Sequence, residues 1–145
     1  IEVIKPGLLS SVQDLGRTGL RHLGIGTSGA FDADALRIGN ELVGNPTGAA
    51  ALEFTLLGPV LRVRRDMLIA LSGPDFEVSC DGVPLPMRRP LAVRHGAVIT
   101  IGRAQAGARG YLAIAGGIDV PVVLGSRSTD LRSRIGGVDG RALRP

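Results

Sequence analysis

The sequence predicts a mainly β fold, a closed or nearly closed barrel with one main α-helix. Three observations predict it. About nine short apolar or alternating runs are separated by turn residues. Only one stretch carries a helical stripe with a cap at each end. Glycine is abundant, 22 of 145 residues with 9 prolines beside it, while the chain stays too apolar for disorder at 44% hydrophobic. This length supports one core and not two, hence a single domain over residues 1–145.

Residues 1–4 read as a short strand stopped by Pro6-Gly7. Residues 8–29 show little periodicity and many small or polar side chains, and are expected to form a long loop of the kind that often carries function. The helix is expected at 33–43, with Asp32 as its cap, Phe31 stapled onto Leu36, and Leu36, Gly39, Leu42 and Val43 facing inward. Gly44 and Asn45-Pro46 end it. Strands are then expected at 52–56, 60–63, 67–71, 76–80, 91–94, 97–101, 111–115 and 122–124. Asp81-Gly82 marks a two-residue hairpin with Phe76, Val78 and Cys80 on one face. Leu61 and Val63 point inward, and the runs 67–71 and 111–115, apolar on both faces, belong in the middle. Residues 136–145 end without a strand or helix: a disordered tail, or a chain continuing into a larger protein.

Cys80 is the only cysteine, which excludes an internal disulfide and a multi-cysteine zinc site and fits a cytoplasmic compartment. No apolar run reaches the roughly 18–20 residues of a membrane span. The first residue, Ile1, is not Met, so trimming is expected. The net charge of +4 comes almost wholly from arginine, Lys5 being the one lysine. Solvated faces explain this, and so do anionic substrate groups, which guanidinium grips with paired bonds. Nucleic acid fits poorly, because the arginines form no tract and only Phe31, Phe54, Phe76 and Tyr111 can stack on a base.

Gly24-Ile25-Gly26-Thr27-Ser28-Gly29 has the glycine spacing of a dinucleotide site, with Glu53 downstream in the place of the ribose acid. The buried strand that this motif needs ahead of it is missing. What remains is a glycine-rich loop running into a helix N-terminus, where Ser28 and Asp32 either cap the helix or meet an anion or carbonyl oxygen. Gln13-Asp14-Leu15-Gly16-Arg17 is either an Asp–Arg pair pinning a loop or a recognition set for an amide or carboxylate, with Asp14 as base. Residues 125–130, GSRSTD, form either a polar turn or an anion pocket. His22 and His95 have no metal-ligand spacing, and no nucleophile elbow supports a triad of Ser28, His22 and Asp14.

Five segments occur in a fixed order: PGLLSSVQDLGRTGL, GTSGAFDADALRIGNELVGNP, ALEFTLLGP, YLAIAGGIDVPVVLGSRSTD and GGVDGRAL. Together they closely resemble the N-terminal half of the KipA family, over essentially the whole chain. Members of that family are known as the 5-oxoprolinase C-subunit, allophanate hydrolase subunit 2 and biotin-dependent carboxyltransferase domains related to urea carboxylase. The resemblance implies a cyclophilin-like closed β-barrel, two per full-length protein, with this chain as one of them. Departures are few: Leu20 where an aromatic is common, Phe31 where Met is common, and Gly39 where Ala usually precedes the Asn.

The resemblance also implies a KipI-like partner subunit that shares the reactive site. Its substrates present N–H beside C=O: 5-oxoproline, urea, allophanate, or the ureido ring of biotin. On that basis Asp14 and Arg17 are the expected catalytic residues. Gln13, Ser28, Gly29, Asp32, Asn40, Arg127, Ser128 and Thr129 are the expected substrate contacts, and no metal ligand is assigned. The leading expectation is a component of an ATP-dependent 5-oxoprolinase, with ATP and magnesium at the level of the complex and the isolated segment inactive. Arg17 and Arg127 would then stabilise charge on a phosphorylated lactam. One alternative is the carboxyltransferase part of a biotin-dependent urea carboxylase, with biotin on a separate carrier. The other is a non-catalytic regulator that binds a KipI-like kinase inhibitor.

Overall fold

Alternating side chains carry the chain into two antiparallel sheets of five strands each. The computed structural model describes Ile1–Pro145. The first sheet has the order β1 (Glu2–Lys5), β4 (Val60–Arg62), β9 (Val98–Ala104), β6 (Phe76–Cys80), β7 (Val83–Pro84). The second runs β2 (Leu9–Gln13), β3 (Ala51–Thr55), β10 (Arg109–Ile114), β5 (Met67–Ser72), β8 (Pro90–Val93). The ladders define these two antiparallel sheets, which with one α-helix bear out the mainly β class expected from the sequence.

The second sheet is covered on both faces, which explains why its inner strands read as continuously apolar. In β5 and β10, Leu71 pairs with Leu112, and Ala70 with Ala113. Leu52, Phe54, Ile69, Leu71 and Leu112 turn toward Leu61, Val63, Phe76, Val78, Ile99 and Ile101 of the other sheet and its flanks, forming the main core. Phe54 and Phe76 bridge the sheets edge to face, with centroids 4.9 Å apart. The opposite face presents Ala51, Ala70, Tyr111 and Ala113 to Ala35, Leu36 and Val43 of the helix region.

Helix α1 (Ala33–Leu42) forms where its caps place it: Asp32 Oδ1 accepts from the Ala35 N–H at 3.0 Å. Gly39 has a local reason to depart from Ala. A Cβ there would lie 2.7 Å from Ser72 Oγ, a hydroxyl already donating to the Ala35 carbonyl. The Asp81-Gly82 turn has positive φ at both residues, 49° and 82°, as a primed hairpin requires.

Three expectations are corrected. The stretch 8–29 is not one loop, because β2 lies inside it. Its residues Ser10, Ser11, Val12 and Gln13 are all buried, and their polar groups are satisfied inside the protein, so no apolar alternation marks the strand. Residues 122–124 form no strand. Val123 makes an isolated bridge to Ser126, and Val122 and Leu124 are exposed. Phe31 does not staple onto Leu36: it is 79% exposed, with the Arg109 guanidinium 4.8 Å above its ring. Residues 136–145 carry no strand or helix and run beside β2, where the Leu143 N–H donates to the Ser10 carbonyl.

Candidate functional site

The end of β2 launches a loop that is bound to two others. Gly16 and Gly29 have φ of 87° and 90° and stand backbone to backbone; a Cβ on Gly29 would lie 2.8 Å from the Gly16 nitrogen. Only glycine permits that approach. It lets the Arg17 N–H donate to the Thr27 carbonyl and the Ala30 N–H to the Asp14 carbonyl, each at 2.8 Å.

Into this pair fits the segment Ser126–Asp130. Asp14 Oδ1 accepts from the Gly16 N–H at 2.7 Å and from the Ser126 and Ser128 hydroxyls at 2.6 Å each. Its Oδ2 accepts from the Arg127 N–H at 2.6 Å. Gln13 Nε2 donates to Ser11 Oγ and the Thr129 carbonyl, while its Oε1 accepts from the Gly29 N–H. Thr129 Oγ1 donates to the Val12 carbonyl. Arg17, 1% exposed, donates from Nη2 to the Ser128 carbonyl at 2.6 Å, with Nε 3.4 Å from the Val123 carbonyl.

Burial raises the pKa of Asp14, but the hydrogen bonds from Ser126, Ser128, Arg127 and Gly16 outweigh it and hold the carboxyl below its ordinary 3.8. Asp130 is lowered too, mainly by the Ser133 N–H, with the Arg17 charge adding to the effect.

The structure thus gathers Gln13, Asp14, Arg17, Gly29, Arg127, Ser128 and Thr129, and engages most of their polar atoms with one another. Two of the expected roles meet a constrained geometry. Asp14, holding four donors on a carboxyl below its usual range, is a poor proton acceptor. Arg17 is sealed beneath the loops, with its Nη1 buried and without a hydrogen-bond partner. Asn40 lies elsewhere: fully buried, its Nδ2 donates to the Thr47 and Ala49 carbonyls and its Oδ1 accepts from Asn45, so it shapes the turn after the helix. Arg127 Nε donates to the Val120 carbonyl. Ser28 is exposed, on the glycine-rich loop above the knot. Asp32 caps α1, and Asp32→Ala is expected to cost about 1 kcal/mol in urea unfolding.

A second polar cluster was not assembled by the sequence reading, which named Glu53 only in the place of a ribose acid. Glu53, 5% exposed, pairs with Arg109 Nη1 at 2.6 Å through Oε1. Its Oε2 accepts from the Phe31 N–H at 2.8 Å and the Tyr111 hydroxyl at 2.7 Å. Tyr111 Oη in turn accepts from the Asp32 N–H at 2.8 Å. Burial pushes the Tyr111 hydroxyl pKa far up; the hydrogen bond from the Asp32 N–H opposes it, and the hydrogen bond to Glu53 and the Glu53 and Asp32 charges add to it. The available signal was a carboxylate among the apolar residues Ala51, Leu52 and Phe54 of the strand Ala51–Thr55.

Between the sheets, the core opens at one end into a cavity of about 490 Å³. Val3, Leu61, Leu112, Ile118 and Leu143 are among its apolar walls, and Arg64, Arg65, Arg141 and Arg144 stand around it. No group of three or more His, Cys, Asp or Glu side chains is placed to hold a metal ion. No helix is long and apolar enough to cross a membrane.

Two walls of sheet, one helix and a knotted set of glycine loops define a known class: the chain belongs to the carboxyltransferase domain family, subdomain A and B, whose model matches residues 23–145. Among individual proteins, it is 45% identical over 144 residues to the 5-oxoprolinase C-subunit of Escherichia coli, covering 99% of this chain and 46% of that protein. It is 42% identical to the urea amidolyase of Lachancea kluyveri, over 99% of this chain and 8% of that one. The crystal structure of the K. lactis urea amidolyase superposes with a TM-score of 0.96 at 41% identity, covering 99% of this chain and 9% of that one. The chain therefore spans about half the length of the 5-oxoprolinase relative and a small part of the amidolyases. These relatives carry the names of enzymes or enzyme subunits, as the KipA resemblance implied.

Proposed function

We propose that this chain is the N-terminal half of a KipA-like component of a cytoplasmic, ATP-dependent 5-oxoprolinase, whose reactive site is completed by a KipI-like subunit. The observation that carries this reading is the 45% identity to the 5-oxoprolinase C-subunit, sustained over 99% of the chain. The two sheets are then the walls of a cyclophilin-like barrel. The knot serves as scaffold: it fixes the 24–29 loop so that Ser28 and the backbone face outward toward a substrate edge shared with the partner.

In this reading ATP and magnesium are held at the level of the complex. Arg17 is buried beneath the loops, and the Arg127 Nε is bonded to a backbone carbonyl. A second reading, the carboxyltransferase segment of a biotin-dependent urea carboxylase, is favoured by the TM-score of 0.96 to K. lactis urea amidolyase.

The test is reconstitution of the full-length protein with its partner subunits. Phosphate release stimulated by 5-oxoproline is expected from the complex and not from this protein alone. Carboxylation of urea with a biotinylated carrier, without any response to 5-oxoproline, transfers the assignment to the second reading. Equal activity without the partner removes the shared site.

A further inference from the structure

We propose that the cavity between the two sheets is a binding site for a small amphiphilic carboxylate, an apolar body bearing one anionic head. Its volume, about 490 Å³, lies within the range of ordinary ligand pockets. Its walls are continuous with the main core, since Val3, Met67, Ile114, Ile118 and Leu143 pack against that cluster and also line the cavity. Such walls reward a hydrocarbon body by removing its surface from water.

The polar lining is one-sided. Four arginines meet a single acid, Asp119, and no neutral hydrogen-bonding side chain is present. Arg64 is already paired with Glu2 at 2.6 Å, while Arg141 makes a 3.5 Å contact with exposed Asp139 and donates from Nη1 to the Ala142 carbonyl at 3.3 Å. Arg65 and Arg144 take part in no ion pair within the chain. A carboxylate is the group whose two oxygens match a guanidinium fork. No side chain in the lining supplies the neutral donor and acceptor that the N–H and C=O edge of a lactam or ureido group needs. The site is therefore distinct from the one proposed for the reaction, and it stands whether or not that reading holds.

The experiment titrates octanoate into the full-length protein while the methyl signals of Met67, which lines the cavity, and Met87, which does not, are followed by NMR. Octanoate is expected to shift Met67 and leave Met87 in place, and 1-octanol to bind at least tenfold more weakly. The double substitution Arg65→Gln, Arg144→Gln should bring octanoate down to the octanol level, and Leu143→Trp should block both. Three results overturn the proposal: no shift at Met67, octanol binding as tightly as octanoate, or octanoate affinity unchanged by the arginine pair. If Leu143→Trp fails to fold, the Met67 shift and the head-group comparison still decide it. None of these readouts depends on 5-oxoproline turnover, so the two proposals fail separately.

Discussion

Asp14→Ala is expected to unfold at lower urea, losing about 3 kcal/mol, because four donors lose one shared acceptor at about 1 kcal/mol or less each. Asp14→Asn keeps an oxygen for the two serine hydroxyls and should lose less. A catalytic Asp14 would give the opposite pattern, a stable but inactive Ala variant. The same residue sets an acid limit. Its folded pKa lies below the ordinary 3.8, so its contribution is fully present above that value and fades as pH falls through it toward the folded pKa. Asp130 acts in the same direction. Urea midpoints should drop from neutral pH to about pH 3, and Asp14→Asn should flatten part of that fall. A pH-independent difference between the two proteins would refute the stabilising role.

Glu53→Ala is expected to cost a comparable amount, about 3 kcal/mol. It strips the acceptor from the Tyr111 hydroxyl and the Phe31 N–H and leaves the Arg109 guanidinium without its partner. The ion-pair share is reduced because the Arg109 side chain is 31% exposed. Glu53→Gln should cost less, since it preserves shape and one acceptor oxygen. A double-mutant cycle with Arg109→Met isolates the pair, and a coupling of zero would show that Glu53 acts only through Tyr111 and the helix start.

What was legible in the sequence was local. The Asp32 cap, the Gly44 stop, the Asp81-Gly82 turn and the apolar runs of β5 and β10 each depend on residues a few positions apart. What was illegible depended on partners far along the chain. The Asp14 carboxylate meets a hydroxyl 114 positions away, and Glu53 meets an arginine 56 positions away. Composition identified Gln13, Asp14 and Arg17 as unusual but could not show that their atoms are engaged by Ser126–Asp130. β2 was missed for a related reason: its buried polar groups are satisfied inside the protein, Gln13 by the distant Thr129 carbonyl and Ser10 by the Pro6 carbonyl, so the usual period of two never appears.

The span of these bonds also orders events in time. Gln13, Asp14 and Arg17 emerge more than a hundred residues ahead of the carbonyls and hydroxyls that fix them, which belong to residues 126–129. Until that stretch leaves the ribosome, the two sheets can pair while the buried guanidinium of Arg17 and the carboxylate of Asp14 stay hydrated. Closing so long a loop is slow relative to local pairing. The glycine-rich loop that the knot supports is therefore expected to be among the last parts of the molecule to take shape, once nearly all of the sheet framework exists.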